Sequence, residues 1–179
     1  MSGAIATSSS STGSITYVAD SNITVTSIIS TNSGDISLTS GGAITNSLLS
    51  SGTNVSTGGK VTLIGQSGIG LIGDPIRITS GTVELKNLGS TGDIVVTEVN
   101  SDIANLEVNG LTQSSDSGWS ILTTETGGVN FTGAALLSGT GSFLVDSAEL
   151  ISNSTAGIIT LNGDGNITLK AVSSIDLFA

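Results

Sequence analysis

The stretch VTLIGQSGIGLIGDPIRITSGTVEL, residues 61–85, spells two different things. Gly68, Gly70 and Gly73 form G-x-G-x-x-G behind the strand-like run Val61-Thr62-Leu63-Ile64. Asp93 lies about twenty residues beyond, where a dinucleotide-binding fold wants an acid for the ribose. That reading needs a helix to begin inside the motif, because the helix N-terminus holds the pyrophosphate. The motif instead runs into Asp74-Pro75-Ile76-Arg77-Ile78-Thr79, a turn and then an alternating strand rich in β-branched residues. The second spelling is a period. Apolar–x–apolar triplets begin at Val61, Ile69, Ile76 and Val83, seven or eight residues apart, and Val61 to Val83 spans 22 positions. Three short strands and their turns fill that distance, which makes it one coil of a repeating structure.

The same triplet recurs outward in both directions. It appears at Ile23/Val25, Ile36/Leu38, Ile94/Val96, Leu106/Val108, Val129/Phe131, Phe143/Val145, Ile159/Leu161, Ile167/Leu169 and Ile175/Leu177. The middle residue is usually polar or Gly, with Val95 and Leu144 as exceptions. Period-two alternation places one face inward and one outward, which means strands. No window sustains a 3.6-residue period, and the abundant Ser, Thr, Gly and Asn are poor helix formers, so essentially no α-helix is expected. A strand of three to five residues buries little in an isolated hairpin. Stacked in parallel on the coils above and below, it builds continuous apolar columns, as in a β-solenoid. About eight coils of 20–25 residues, spaced ~4.8 Å, give a rod ~40 Å long. A β-sandwich is the rival, but its strands run longer and its core favours aromatics. The spacing loosens over 101–146, around SSDSGWSILTTETGG, where longer turns or a bulged loop are expected. Residues 1–13 read as a flexible segment and 14–179 as a single solenoid domain.

Composition narrows the partners. Ile, Leu, Val and Phe make up about 29% of the 179 residues, above the ~20% below which disorder is the default. The net charge is −10, with only four Lys and Arg residues: Lys60, Arg77, Lys86 and Lys170. Without a basic patch to neutralise phosphates, nucleic acid is not an expected partner. With no Cys and no His, disulfides and most zinc sites are excluded. The opening MSGAIATSSSSTG has neither a basic n-region nor an apolar h-region. No apolar run approaches the ~18 residues of a membrane helix, so membrane insertion is not expected.

Residues 59–96, GKVTLIGQSGIGLIGDPIRITSGTVELKNLGSTGDIVV, resemble the repeat regions of filamentous-haemagglutinin-like adhesins, the large bacterial exoproteins of two-partner secretion. The resemblance rests on Gly68-Ile69-Gly70, on Pro75-Ile76-x-Ile78 and on Gly92-Asp93-Ile94. SGDISLTSGGAITN (33–46) and GDGNITLKAVSSIDL (163–177) look like coils of the same type. The resemblance implies a right-handed parallel β-helix, export through the outer membrane, and a role as an adhesin shaft outside the cell or at its surface. It also implies host or neighbouring-cell surface glycans or proteins as partners.

The chemistry on offer is sparse. Several polysaccharide-cleaving enzymes are β-helices, and they need clustered carboxylates, or calcium with a basic residue. Glu84 and Glu107 are the one pair that coil stacking would bring together. Most Asp residues follow Gly or Ser at turns, where a carboxylate caps local backbone. NGDGNIT (162–168) is a single copy of something like a calcium loop, whereas such sites need successive copies. The five Asn-x-Ser/Thr sequons are about what a chain rich in Ser and Thr produces by chance. Trp119 is the one candidate ligand contact. It either stacks on a sugar or plugs a loop against the solenoid flank, and the plug is the favoured reading. No catalytic residue, cofactor or metal is expected. The expectation is a non-catalytic shaft segment. The chain's final SSIDLFA raises a second one, further copies stacking end to end as a fibre, since an uncapped coil is a sticky sheet edge.

Overall fold

The computed structural model describes residues 7–9, 12–48, 52–100 and 102–178, and among them there is no helix. Parallel strands wind as a β-solenoid. One sheet stacks Thr7–Ser9, Ile29–Thr31, Val55–Ser56, Ile76–Thr79, Ile94–Glu98, Ser120–Thr124, Phe143–Ser147 and Ile167–Ala171. The second stacks Ile15–Ala19, Ile36–Ser40, Lys60–Gly65, Thr82–Asn87, Asn105–Gln113, Gly128–Phe131, Ile151–Asn153 and Ile175–Asp176. A third, shorter face pairs Ile23–Val25 with Ile44–Asn46 and continues by bridges through Ile69 to Ile94.

Register confirms the coil read from the sequence. Val61 pairs with Val83. Ile15 pairs with Ile36, and Ile36 with Val61, steps of 21 and 25 residues. Seven such steps join the eight strands of the second sheet, giving about seven turns.

Alternation sorts the side chains between core and surface. In Ile36–Ser40 and Lys60–Gly65 every second residue is buried. Tyr17, Leu38, Leu63, Leu85 and Leu111 stack as one inward column. A fully buried Leu such as Leu63 contributes roughly 1.5–3 kcal/mol over leaving it in water. Phe131 and Phe143, both fully buried, meet edge to face with centroids 6.0 Å apart, so these two aromatics sit in the core.

Residues 102–146 keep the ladder. Asn105–Gln113 pairs with Thr82–Asn87, but the register shifts: Val83 faces Val108 and Glu84 faces Gly110, leaving Asn109 as a β-bulge. The bulge resets the inward parity, so that Leu106 and Val108 before it and Leu111 and Gln113 after it are all buried. Of the N-terminal segment expected to be flexible, residues 1–6, 10 and 11 lie outside the described residues, while Thr7–Ser9 pairs with Ile29–Thr31.

Candidate functional site

The glycine motif builds a hairpin, not a phosphate cradle. Ile69 pairs with Ile94, and Ile76 with Val96. Six residues, 70–75, therefore occupy on one coil the place that Val95 alone takes on the next. The surplus leaves the coil as a tight hairpin in which Leu71 and Asp74 exchange backbone hydrogen bonds of 3.0 and 2.9 Å. Gly68, Gly70 and Gly73 have φ of 111°, 68° and 88°, the left-handed region that the turns demand. Asp93 stacks one coil beyond Gly68, and its carboxylate accepts the Trp119 N–H at 2.8 Å. The excursion also corrects one expectation. The triplet spacing makes Leu71 the inward partner of Ile69, yet at the base of the hairpin it is 52% exposed.

The Glu84–Glu107 pair does not form. Coil register sets Glu107 opposite Thr82, while Glu84 faces Gly110. Glu84 is held by Lys86 at 2.6 Å and Lys60 at 3.0 Å, and these hydrogen-bonded ammonium groups keep its carboxyl below the usual range. Glu107 accepts from Asn130, which in turn accepts from Ser152, a polar ladder running along the coils. Among the described residues no three His, Cys, Asp or Glu side chains are placed to hold a metal ion.

Trp119 stands at a ledge on the outside of the first sheet. Strand alternation puts Trp119 and Ile121 on one outward face, and register adds Val95 and Leu144 from the coils on either side. Val95 is only 5% exposed although it alternates outward, and the hairpin leaves the coil close to it: a Cβ on Gly70 would lie 2.3 Å from the Val95 carbonyl oxygen. Trp119 itself is 43% exposed, so more than half of it is covered. The strip is apolar, and the Arg77–Glu125 and Lys170–Asp146 ion pairs lie on the same sheet.

The last described coil is open. Leu177 and Phe178 are exposed, and with Ile158 and Ile159 they line a cavity of about 430 Å³. Asn153 anchors this end, accepting the Phe178 N–H at 2.8 Å and donating to the Gly157 carbonyl at 3.0 Å.

One residue escaped the sequence reading. Glu98 is fully buried in the core. The signal was present: Ile94, Val96 and residue 98 share a parity, so the alternation that buries the first two also buries the third. Its Oε1 accepts the Asn100 N–H, and its Oε2 has no hydrogen-bond partner. Burial, aided by the like charge of Glu125, pushes its carboxyl up to about 7.

Comparison with family models, curated proteins and solved structures returned no match to this chain.

Proposed function

We propose that this chain is a structural and adhesive shaft segment of a bacterial surface or secreted exoprotein, of the filamentous-haemagglutinin-like kind its repeats resemble, without catalysis of its own. The observation that carries this reading is the unbroken inward packing: each coil's buried face is completed by its neighbours, and polar ladders run along the outside. Such a stack bears its load through neighbour-to-neighbour contacts and can be lengthened without new design. Antibody labelling of intact source cells is the test. Surface signal is the expected result, and signal only after lysis would sink the proposal.

The ledge at Trp119 supports the adhesive part, with a surface glycan as the contact. A partly exposed indole beside Ile121 and Leu144 offers a surface on which the apolar face of a sugar ring can stack. Trp119→Ala is expected to weaken retention on a glycan array about three- to tenfold, the scale of one aromatic stacking contact. Its melting transition is expected to fall by only a few degrees, because Trp119 is partly covered and lies outside the core. Unaltered retention would remove Trp119 from the contact.

A second reading is a self-assembling fibre subunit. Leu177 and Phe178 are exposed beside Ile158 and Ile159, and a coil of another copy stacked on this apolar surface would give end-to-end fibres. Electron microscopy separates the two: single short rods fit the shaft segment, and filaments with a regular axial repeat fit the self-assembling subunit.

A further inference from the structure

Glu98 occupies the middle of an inward column, below Ile78 and above Thr124. Ile29 and Val55 continue that column on the side of Ile78. An ionised carboxylate in such a place keeps only what hydrogen bonds and cations can give it. Here it gets one backbone N–H, from Asn100, while Oε2 is left bare.

Among the described residues the nearby cations are committed elsewhere. Arg77, on the adjoining strand Ile76–Thr79, alternates outward between the buried Ile76 and Ile78; its Nη2 is taken by Glu125 at 2.7 Å and its Nε has no partner. Glu125, at the end of the strand on the other side, carries the same sign as Glu98. On Thr82–Asn87, which packs across the core, Lys86 is taken by Glu84. Asp102, in the turn beyond Asn100, is a further acid.

We propose that Glu98 is a proton-operated latch: protonated, it fits the buried column between Ile78 and Thr124 and holds the coil from Ile94 to Glu125 closed; ionised, it favours opening of that coil.

The direction follows from the proton count. In the opened coil Glu98 titrates near its ordinary value of 4.5, and in the closed coil near about 7. Below 4.5 both states hold the proton, and the closed coil has its full stability. Between the two values the opened state has released the proton while the closed state keeps it. Closure then weakens about tenfold per pH unit. Above about 7 both states are ionised and the weakening stops, at a total of roughly 300-fold.

Native-state hydrogen exchange tests this on the intact chain. The probes are amides in Ile94–Glu98 and Ser120–Thr124, with Lys60–Gly65 as the internal reference, each corrected for intrinsic exchange. From pH 4.5 to 8 the opening constant of the Glu98 coil is expected to rise by two to three decades relative to Lys60–Gly65. Glu98→Gln, neutral at every pH, is expected to flatten that rise. Carbon NMR of the Glu98 carboxyl in the unmutated protein supplies a reading that no variant's folding can confuse. A side-chain midpoint near 7 supports the latch; a midpoint near 4.5, or the same pH response in Glu98→Gln, overturns it.

Discussion

Gly141→Ala is expected to destabilise the solenoid by about 3 kcal/mol, the upper end of what overpacking a close-packed interior costs. The reason is a ladder of close approaches at one corner. A Cβ on Gly92 would lie 2.1 Å from the Ser67 carbonyl oxygen, on Gly118 2.1 Å from that of Gly92, on Gly141 1.9 Å from that of Gly118, and on Gly165 1.8 Å from that of Gly141. In each pair the obstacle is backbone, and the neighbouring ladder bonds pin it: Ser120 N–H to Ser142 carbonyl and Phe143 N–H to Asn166 carbonyl, 2.9 and 2.8 Å. The turn cannot retreat without stretching the coil spacing. At Gly141 it is space, not left-handed φ, that excludes a side chain. Gly73 is the control. Its φ is 88° but nothing stands within 4 Å, so Gly73→Ala costs only the left-handed penalty of about 1–2 kcal/mol. Urea titration measures both, and hydrogen exchange locates the damage, which should concentrate around Ser120 and Phe143 and spare Lys60–Gly65 because coils interact only with neighbours. A Gly141→Ala protein within about 0.5 kcal/mol of the parent, the range of an ordinary surface change, would show that the corner is looser than these distances state.

The same ladder shows what the sequence made legible. Alternation within a strand assigns faces, so Ile36, Leu38, Val61 and Leu63 could be placed inward from their spacing alone. The 22-residue interval from Val61 to Val83 was visible for the same reason, since both ends carry the same triplet. What alternation cannot give is the relation between one coil and the next. The offset of Asn105–Gln113 on Thr82–Asn87 places Glu107 opposite Thr82 and not Glu84, and the hydrophobic pattern of neither strand reveals that offset. The hairpin at 71–74 interrupts a coil at Leu71, an apolar residue that looks inward until the pairing of Ile69 and Ile76 shows how many residues must leave. Glycines such as Gly118 and Gly141 read as turn formers; their need for space comes from a carbonyl more than twenty residues away. Of the candidate site, the indole was legible as an isolated Trp. The strip around it was not, because Val95, Ile121 and Leu144 converge only through inter-coil register.

The second large effect is expected at Asn87, and it bears on the glycine motif. Asn87 is fully buried at an inward corner, stacked between Gly65 and Gln113. Its Oδ1 accepts the Gly68 N–H at 3.1 Å. The two protons of its Nδ2 serve three acceptors, the adjacent Thr91 and Gly92 carbonyls and Gln113 Oε1, at 2.9, 2.9 and 2.8 Å. Gln113 then donates to the Gly92 and Trp119 carbonyls and accepts the Ser115 N–H. Two amide side chains thus satisfy the turns of three successive coils, including the one where the glycine motif begins. Asn87→Leu keeps the branched outline of four side-chain heavy atoms and strips the bonds, leaving the buried Gly68 N–H without its acceptor and Gln113 Oε1 without one of its donors. Each such group costs about 1–3 kcal/mol, so a loss of roughly 3–4 kcal/mol is expected. The sharper test is Asn87→Leu combined with Gln113→Leu. Removing Asn87 alone takes from Gln113 Oε1 its Nδ2 donor, and removing Gln113 alone takes from Asn87 an acceptor. The second change therefore repeats part of the damage of the first, and replacing both partners by apolar groups costs less than the two separate losses. The double variant is expected to fall short of the sum by about 1–2 kcal/mol in urea titration, the coupling of residues within one network. Strict additivity would mean that the two amides serve their turns independently, and the corner would then be a set of local caps rather than one connected unit.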